Sequence, residues 1–137
     1  MMRSQQAVSE ATASKIRGRD WDVATARSHL TWDGDTGAST LSGVEIEFEC
    51  TKRGSETVLN VYHFWLDEKL RGYGIARCMH DALLEIADEA DIDRVLVTVQ
   101  ASSSRVERFL RRAGYELLGP YPHRRYDNPI IEGELSL

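Results

Sequence analysis

Arg71-Gly72-Tyr73-Gly74-Ile75-Ala76 is the stretch that decides the fold of this chain of 137 residues. The preceding residues, 57–66, are rich in β-branched and aromatic side chains, which favour a central strand. The following residues, 74–90, carry apolar side chains at helical spacing. Glycine lets the backbone approach a ligand closely, and helix amides point forward from the N-terminus. The pattern predicts a loop that binds an anion such as pyrophosphate, and an ordinary strand-to-helix turn is the alternative.

The flanking segments predict an α/β domain. Residues 44–50 alternate between apolar and acidic side chains, as in a half-buried strand, and residues 95–99 are almost continuously β-branched. A second helix follows and ends near Gly114, and two further strands are expected over residues 115–118 and 130–135. This order predicts a mixed central sheet flanked by helices, in which a helical crossover places two strands side by side and parallel.

The N-terminal third has weaker patterns. Residues 1–14 are polar and small, which indicates a flexible tail or a weak helix. A short helix is expected within residues 20–30, and residues 33–37 have the composition of a loop. Because a chain of this length supplies one hydrophobic core, we expect a single domain over residues 1–137.

Three positions of the loop, Arg71, Gly74 and Ala76, match the pattern Gln/Arg-x-x-Gly-x-Gly/Ala of the GNAT N-acetyltransferase superfamily. The apolar strand that ends at Leu66, the later elements and the closing Gly114-Tyr115 resemble that superfamily in order and length. The resemblance covers a cofactor-binding core of about residues 57–118. It implies a GNAT-like, mostly antiparallel sheet with acetyl-CoA bound between two parallel strands, its pyrophosphate on the loop.

The resemblance also implies an activity, the transfer of acetyl from acetyl-CoA to a primary amine of a small molecule or a protein. The amine would attack the thioester directly, and no metal is required. The residues expected to contact acetyl-CoA are Leu66, Arg71, Gly72, Tyr73, Gly74, Ile75, Ala76, Arg77, Ser103 and Arg105.

The catalytic groups depart from the superfamily's pattern. The superfamily's usual proton-donating tyrosine corresponds here to Leu110, which cannot donate, so Tyr115 and Ser103 are the candidate acids. His63 is the candidate base, because it alone in its stretch of strand titrates near neutrality. A carboxylate base could also come from the acidic residues that alternate along the first strand, although we expect this row to face solvent. Its members are Glu45, Glu47 and Glu49.

The composition of the chain limits the classes of partner that it can bind. The net charge of −5 argues against nucleic acid as the main partner, although the arginines of residues 105–125 leave a nucleic-acid-associated regulator as a third interpretation. No apolar run approaches the roughly 20 residues that cross a membrane, and Cys50 and Cys78 match no metal spacing, so we expect a cytoplasmic protein with free thiols. The sequence leaves open whether the protein forms a homodimer.

The leucine at position 110 also supports a second interpretation. In it the chain is a GNAT-like binding module that contacts another protein without catalysis.

Overall fold

The computed structural model describes residues 7–100, 104–122, 124 and 128–137. The helices within these residues are α1 (Glu10–Arg17), α2 (Val23–Ser28), a short 3-10 helix (Glu68–Leu70), α3 (Ile75–Glu89) and α4 (Ser104–Arg112). The strands are β1 (Leu30–Trp32), β2 (Thr36–Ser39), β3 (Val44–Arg53), β4 (Glu56–Leu66), β5 (Arg94–Gln100), β6 (Glu116–Tyr121) and β7 (Ile130–Ser136). None of the described helices is long and apolar enough to span a membrane.

The strands form one sheet in the order β1-β2-β3-β4-β5-β7-β6. Only the β4 and β5 pair is parallel, and every other neighbouring pair is antiparallel. The parallel pair is joined through α3, as a crossover connection requires. The structure therefore confirms the predicted α/β class with a mixed, mostly antiparallel sheet flanked by helices.

Helix α3 supplies much of the core that supports the central strands. Its apolar residues recur at helical spacing, so Ile75, Met79, Leu83 and Ile86 lie on one face and each is at most 1% exposed. Burial of a side chain of this size contributes about 1.5–3 kcal/mol. The packing of this face fixes the N-terminus of α3 relative to the ends of β4 and β5.

Residues 10–14 belong to helix α1. Of the two expectations for residues 1–14, the flexible tail is therefore wrong for these five residues. Helix α1 begins after Ser9, whose side chain caps it, and it buries Ala13 and Ile16. Ahead of the helix, the Val8 amide donates a hydrogen bond of 2.8 Å to Asp67 Oδ2, in the loop after β4. The helix persists because tertiary burial compensates for its weak sequence pattern.

The loop expected over residues 33–37 is the turn of the β1–β2 hairpin, except that Thr36 and Gly37 already belong to β2. Asp33 Oδ1 accepts hydrogen bonds of 2.8 Å from the amides of both Asp35 and Thr36. Trp32 stacks on Phe48 with ring centroids 5.6 Å apart, so the hairpin is held against β3. Strands of three and four residues are too short for their alternation to be recognised in the sequence.

Candidate active site

A cavity of about 720 Å³ opens where β4 and β5 separate. Their parallel pairing ends at Val61 and Val97, and residues 62–66 and 98–100 beyond it line the cavity. The pairing of β3 with β4 also shifts at this point, which makes Tyr62 the extra residue of a β-bulge. The carboxyl ends of parallel strands are a common ligand site in α/β sheets.

The glycines of the loop leave the N-terminus of α3 open toward this cavity. Gly72 and Gly74 have φ values of 89° and 77°, in the left-handed region that glycine adopts readily. No side chain caps the helix at Gly74, and a Cβ atom added at either glycine would meet no heavy atom within 4 Å. The first amides of a helix have no partners within the helix, so this opening can accept an anion.

The charge of the cavity is opposite to that of the whole chain. Its described lining residues include no carboxylate but contain four arginines, which are Arg71, Arg77, Arg105 and Arg112. Guanidinium groups and helix amides are well suited to bind phosphate. Within the residues that the structure describes, no group of three or more His, Cys, Asp and Glu side chains could hold a metal ion.

Part of the guanidinium of Arg71 is already engaged within the loop. Its Nε and Nη2 atoms donate to the Leu66 carbonyl oxygen at 3.2 and 3.1 Å and so tie the end of β4 to the glycine turn. Arg17 of α1 donates to the Lys69 carbonyl and lies 5.4 Å from the centre of the Tyr73 ring. Helix α1 therefore supports the loop from the side of Tyr73.

Most of the predicted acetyl-CoA residues line the cavity, namely Leu66, Arg71, Gly72, Gly74, Ile75, Ala76, Arg77 and Arg105. Tyr73 is 53% exposed and does not line it, and Ser103 lies outside the described residues. The sequence patterns did not single out Thr98 or Gln100, which also line it, and they included Arg112 only in the group of arginines over residues 105–125. Thr98 and Gln100 could have been found from their place at the carboxyl end of a predicted parallel strand.

The candidate base His63 lines the cavity and contacts a carboxylate behind it. Its Nε2 atom lies 3.2 Å from Glu45 Oε1, and the two side chains are 13% and 7% exposed. The expectation that Glu45 faces solvent is therefore wrong. In the β3–β4 register Glu45 is paired with Trp65, and His63 is its diagonal neighbour on β4. Both bulky side chains are therefore within reach of the carboxylate.

The candidate acid Tyr115 is held in the core and does not line the cavity. Its hydroxyl lies 2.7 Å from His80 Nε2, and burial raises the pKa of Tyr115 and lowers that of His80. Leu110 is also buried, but the adjacent Phe109 does line the cavity and stacks on Phe64 at 6.2 Å. This placement favours a structural role for Tyr115.

We expect the free energy of unfolding to decrease as the pH falls below about 6.5, because His80 is buried in its neutral form. Since the folded-state pKa of His80 is depressed, the unfolded chain takes up a proton that the folded chain excludes. The stabilisation is present above the unfolded-state pKa of 6.5 and is lost below it, by at most about 1.4 kcal/mol per pH unit.

Denaturant unfolding at a series of pH values measures this loss. The double variant His80→Phe/Tyr115→Phe removes both polar partners and should show a shallower dependence on pH between about 7 and 5. Identical slopes for the two proteins would contradict the assignment of the loss to His80.

Comparison with known families gives one match along most of the chain. A model described as the acetyltransferase (GNAT) family matches residues 10–115. No curated protein matches the sequence. The matched segment includes the loop, α3 and every described cavity residue.

Solved structures with a similar fold include three with sequence identities of 12–14%. Arabidopsis thaliana Naa50 in complex with the bisubstrate analogue CoA-Ac-MVNAL is 12% identical with a TM-score of 0.61, covering 96% of this chain and 97% of that chain. Ard1 from Thermoplasma volcanium is 14% identical with a TM-score of 0.58, covering 96% and 95%. A GNAT family acetyltransferase from Elizabethkingia anophelis with acetyl-CoA bound is 12% identical with a TM-score of 0.52, covering 71% and 78%. At these identities the likeness establishes the fold.

Proposed function

The chain belongs to the GNAT acetyltransferase family, and from this premise we propose that it transfers the acetyl group of acetyl-CoA to a primary amine. The family match over residues 10–115 confirms the resemblance noted in the sequence. One observation carries the proposal for this chain. An acidic protein has a cavity at the β4–β5 separation whose described lining has four arginines, an open helix N-terminus and no carboxylate.

Acetyl-CoA suits this distribution of groups. In our proposal its pyrophosphate binds the open amides after Gly72 and Gly74, where no protein atom occupies the space. Arg77, Arg105 and Arg112 are placed to bind phosphate oxygens, and Arg71 can add a contact beside its bond to the Leu66 carbonyl. The pantetheine would follow residues 62–66, which line the cavity. Tyr73 and Ser103 remain proposed contacts.

The proposed reaction is a direct attack of the amine on the thioester. After the ammonium has lost one proton, the nitrogen lone pair forms the new bond to the carbonyl carbon, the carbon–sulfur bond breaks, and the CoA thiolate leaves. The nitrogen then loses its second proton, which balances the proton that the thiolate gains. His63 accepts the proton that the substrate ammonium must lose, since it is the histidine among the described lining residues and imidazole is the side chain that most often serves as a general base. A backbone amide near Leu66 is the proposed donor to the oxyanion.

The thiolate that leaves must also gain a proton. The Tyr115 hydroxyl contacts His80 in the core, so of the two candidate acids Ser103 is the one we retain.

The acceptor that we propose is a primary amine of a small molecule or protein. A net charge of −5 would favour a cationic acceptor approaching the protein. The Arabidopsis structure holds an analogue with a peptide portion, which makes peptide amines the first group to test.

Calorimetric titration followed by turnover assays tests the proposal. We expect acetyl-CoA and CoA to bind with dissociation constants on the order of micromolar to millimolar. Transfer is measured by CoA thiol release with N-terminal peptides, lysine peptides and small amines. Transfer to an amine that leaves an amide product supports the proposal. Binding without transfer across the whole panel would favour the binding module, and a folded protein that binds neither acetyl-CoA nor CoA would contradict the proposed acetyl transfer.

A further inference from the structure

Glu45 is an acidic residue in a position where solvent does not compensate its charge. Its side chain is buried, whereas the other two carboxylates of its row, Glu47 and Glu49, belong to partly exposed residues. Burial of a carboxylate is costly unless hydrogen bonds satisfy it. Its Oε1 atom lies 3.2 Å from His63 Nε2. This buried contact therefore requires an explanation beyond the alternation of β3.

The contact constrains which nitrogen of His63 carries the proton. A carboxylate oxygen only accepts hydrogen bonds, so Nε2 must be the protonated nitrogen in the neutral imidazole. The lone pair is then on Nδ1. His63 lines the cavity and Glu45 does not, so the carboxylate contacts the imidazole from outside the cavity lining.

We propose that Glu45 is the positioning residue of His63, a role that rests on the proposed acetyl transfer. It holds the Nε2–H tautomer and the ring orientation, so that Nδ1 is the atom that accepts the ammonium proton of the substrate. During this step the N–H bond of the ammonium breaks and a bond from hydrogen to Nδ1 forms. The Nε2 hydrogen stays on its nitrogen, and the carboxylate stabilises the imidazolium. The Nδ1 proton passes to water after the product leaves.

The first test is spectroscopic and needs no substrate. Long-range proton–nitrogen NMR of the free protein reports which ring nitrogen of His63 is protonated. We expect the Nε2–H tautomer in the wild type and a mixture of tautomers in Glu45→Gln, whose amide can either accept or donate. A wild type with the proton on Nδ1 would overturn the proposal, whether or not any variant folds.

The second test is kinetic. We expect Glu45→Gln to lower kcat about tenfold to 100-fold, a part of what a general base contributes, and to leave the KM for acetyl-CoA unchanged. Glu134→Gln is the matched control, because its carboxylate also lies on a strand of the sheet but pairs with Arg94 at 2.6 Å outside the cavity. An unchanged kcat in a folded Glu45→Gln, or an equal loss in Glu134→Gln, would overturn the proposal.

The two tests separate this inference from the proposed function. If the wild type shows the Nε2–H tautomer and Glu45→Gln disturbs it but no amine is acetylated, the positioning contact stands and the acetyl transfer fails. If transfer occurs but the tautomer is the opposite one, the function stands and the role of Glu45 fails.

Discussion

Replacement of Gly74 by tryptophan is expected to weaken acetyl-CoA binding at least about 100-fold. The space in front of Gly74 contains no protein atom within 4 Å of an added Cβ, so an indole would fill the opening that we assign to pyrophosphate. Hydrogen bonds to a charged group contribute about 1.5–3 kcal/mol each. Loss of two of them corresponds to about 3–6 kcal/mol, and each 1.4 kcal/mol is about tenfold in affinity. Calorimetric titration measures the change.

Gly54→Trp is the matched control for this variant. Gly54 also has a positive φ, of 63°, and open space around it, but it lies in the turn between β3 and β4 and does not line the cavity. Each substitution places a non-glycine residue in the left-handed region, which costs roughly 1–2 kcal/mol of stability. Denaturant unfolding should show similar losses in both. Retained binding in a folded Gly74→Trp would refute the placement of the pyrophosphate.

The second large effect is expected for His63→Gln, which should lower kcat about 100-fold or more without changing the affinity for acetyl-CoA. A positioned general base contributes roughly 10²–10⁴-fold to a rate, and glutamine cannot accept the ammonium proton near neutral pH. Its side-chain NH₂ can still donate toward Glu45, so the buried carboxylate is not left without a donor. Steady-state turnover with the best amine of the panel measures the effect.

His29→Gln provides the comparison for this variant. His29 follows α2, and its ring contacts Arg19 and Trp21 outside the cavity. We expect its kcat to stay within about twofold of the wild type, because it touches no described cavity residue. If His63→Gln retains full kcat while it binds acetyl-CoA normally, another group must accept the proton, and the role proposed for His63 is wrong.

Patterns of nearby residues were enough to predict the strand, loop and helix around Gly72 and Gly74. Alternation over residues 44–50 and the β-branched run over residues 95–99 likewise predicted strands that the structure contains. Each of these features depends on backbone conformation and side-chain periodicity within a short window. The α/β class and the location of the glycine loop follow from such local preferences, together with the order of the elements.

The contacts of the candidate catalytic residues could not be predicted from local sequence patterns. His63 and Glu45 are 18 residues apart, and only the β3–β4 register and its bulge bring them into contact. Tyr115 and His80 meet across 35 residues, which places in the core a hydroxyl that sequence position alone made a candidate acid. Contacts between distant residues depend on strand register and helix packing, and these are set by the whole core. The sequence was therefore sufficient for the glycine loop and the strands and helix around it, whereas the short strands β1 and β2, the partners of His63 and the burial of Tyr115 emerged only from the assembled structure.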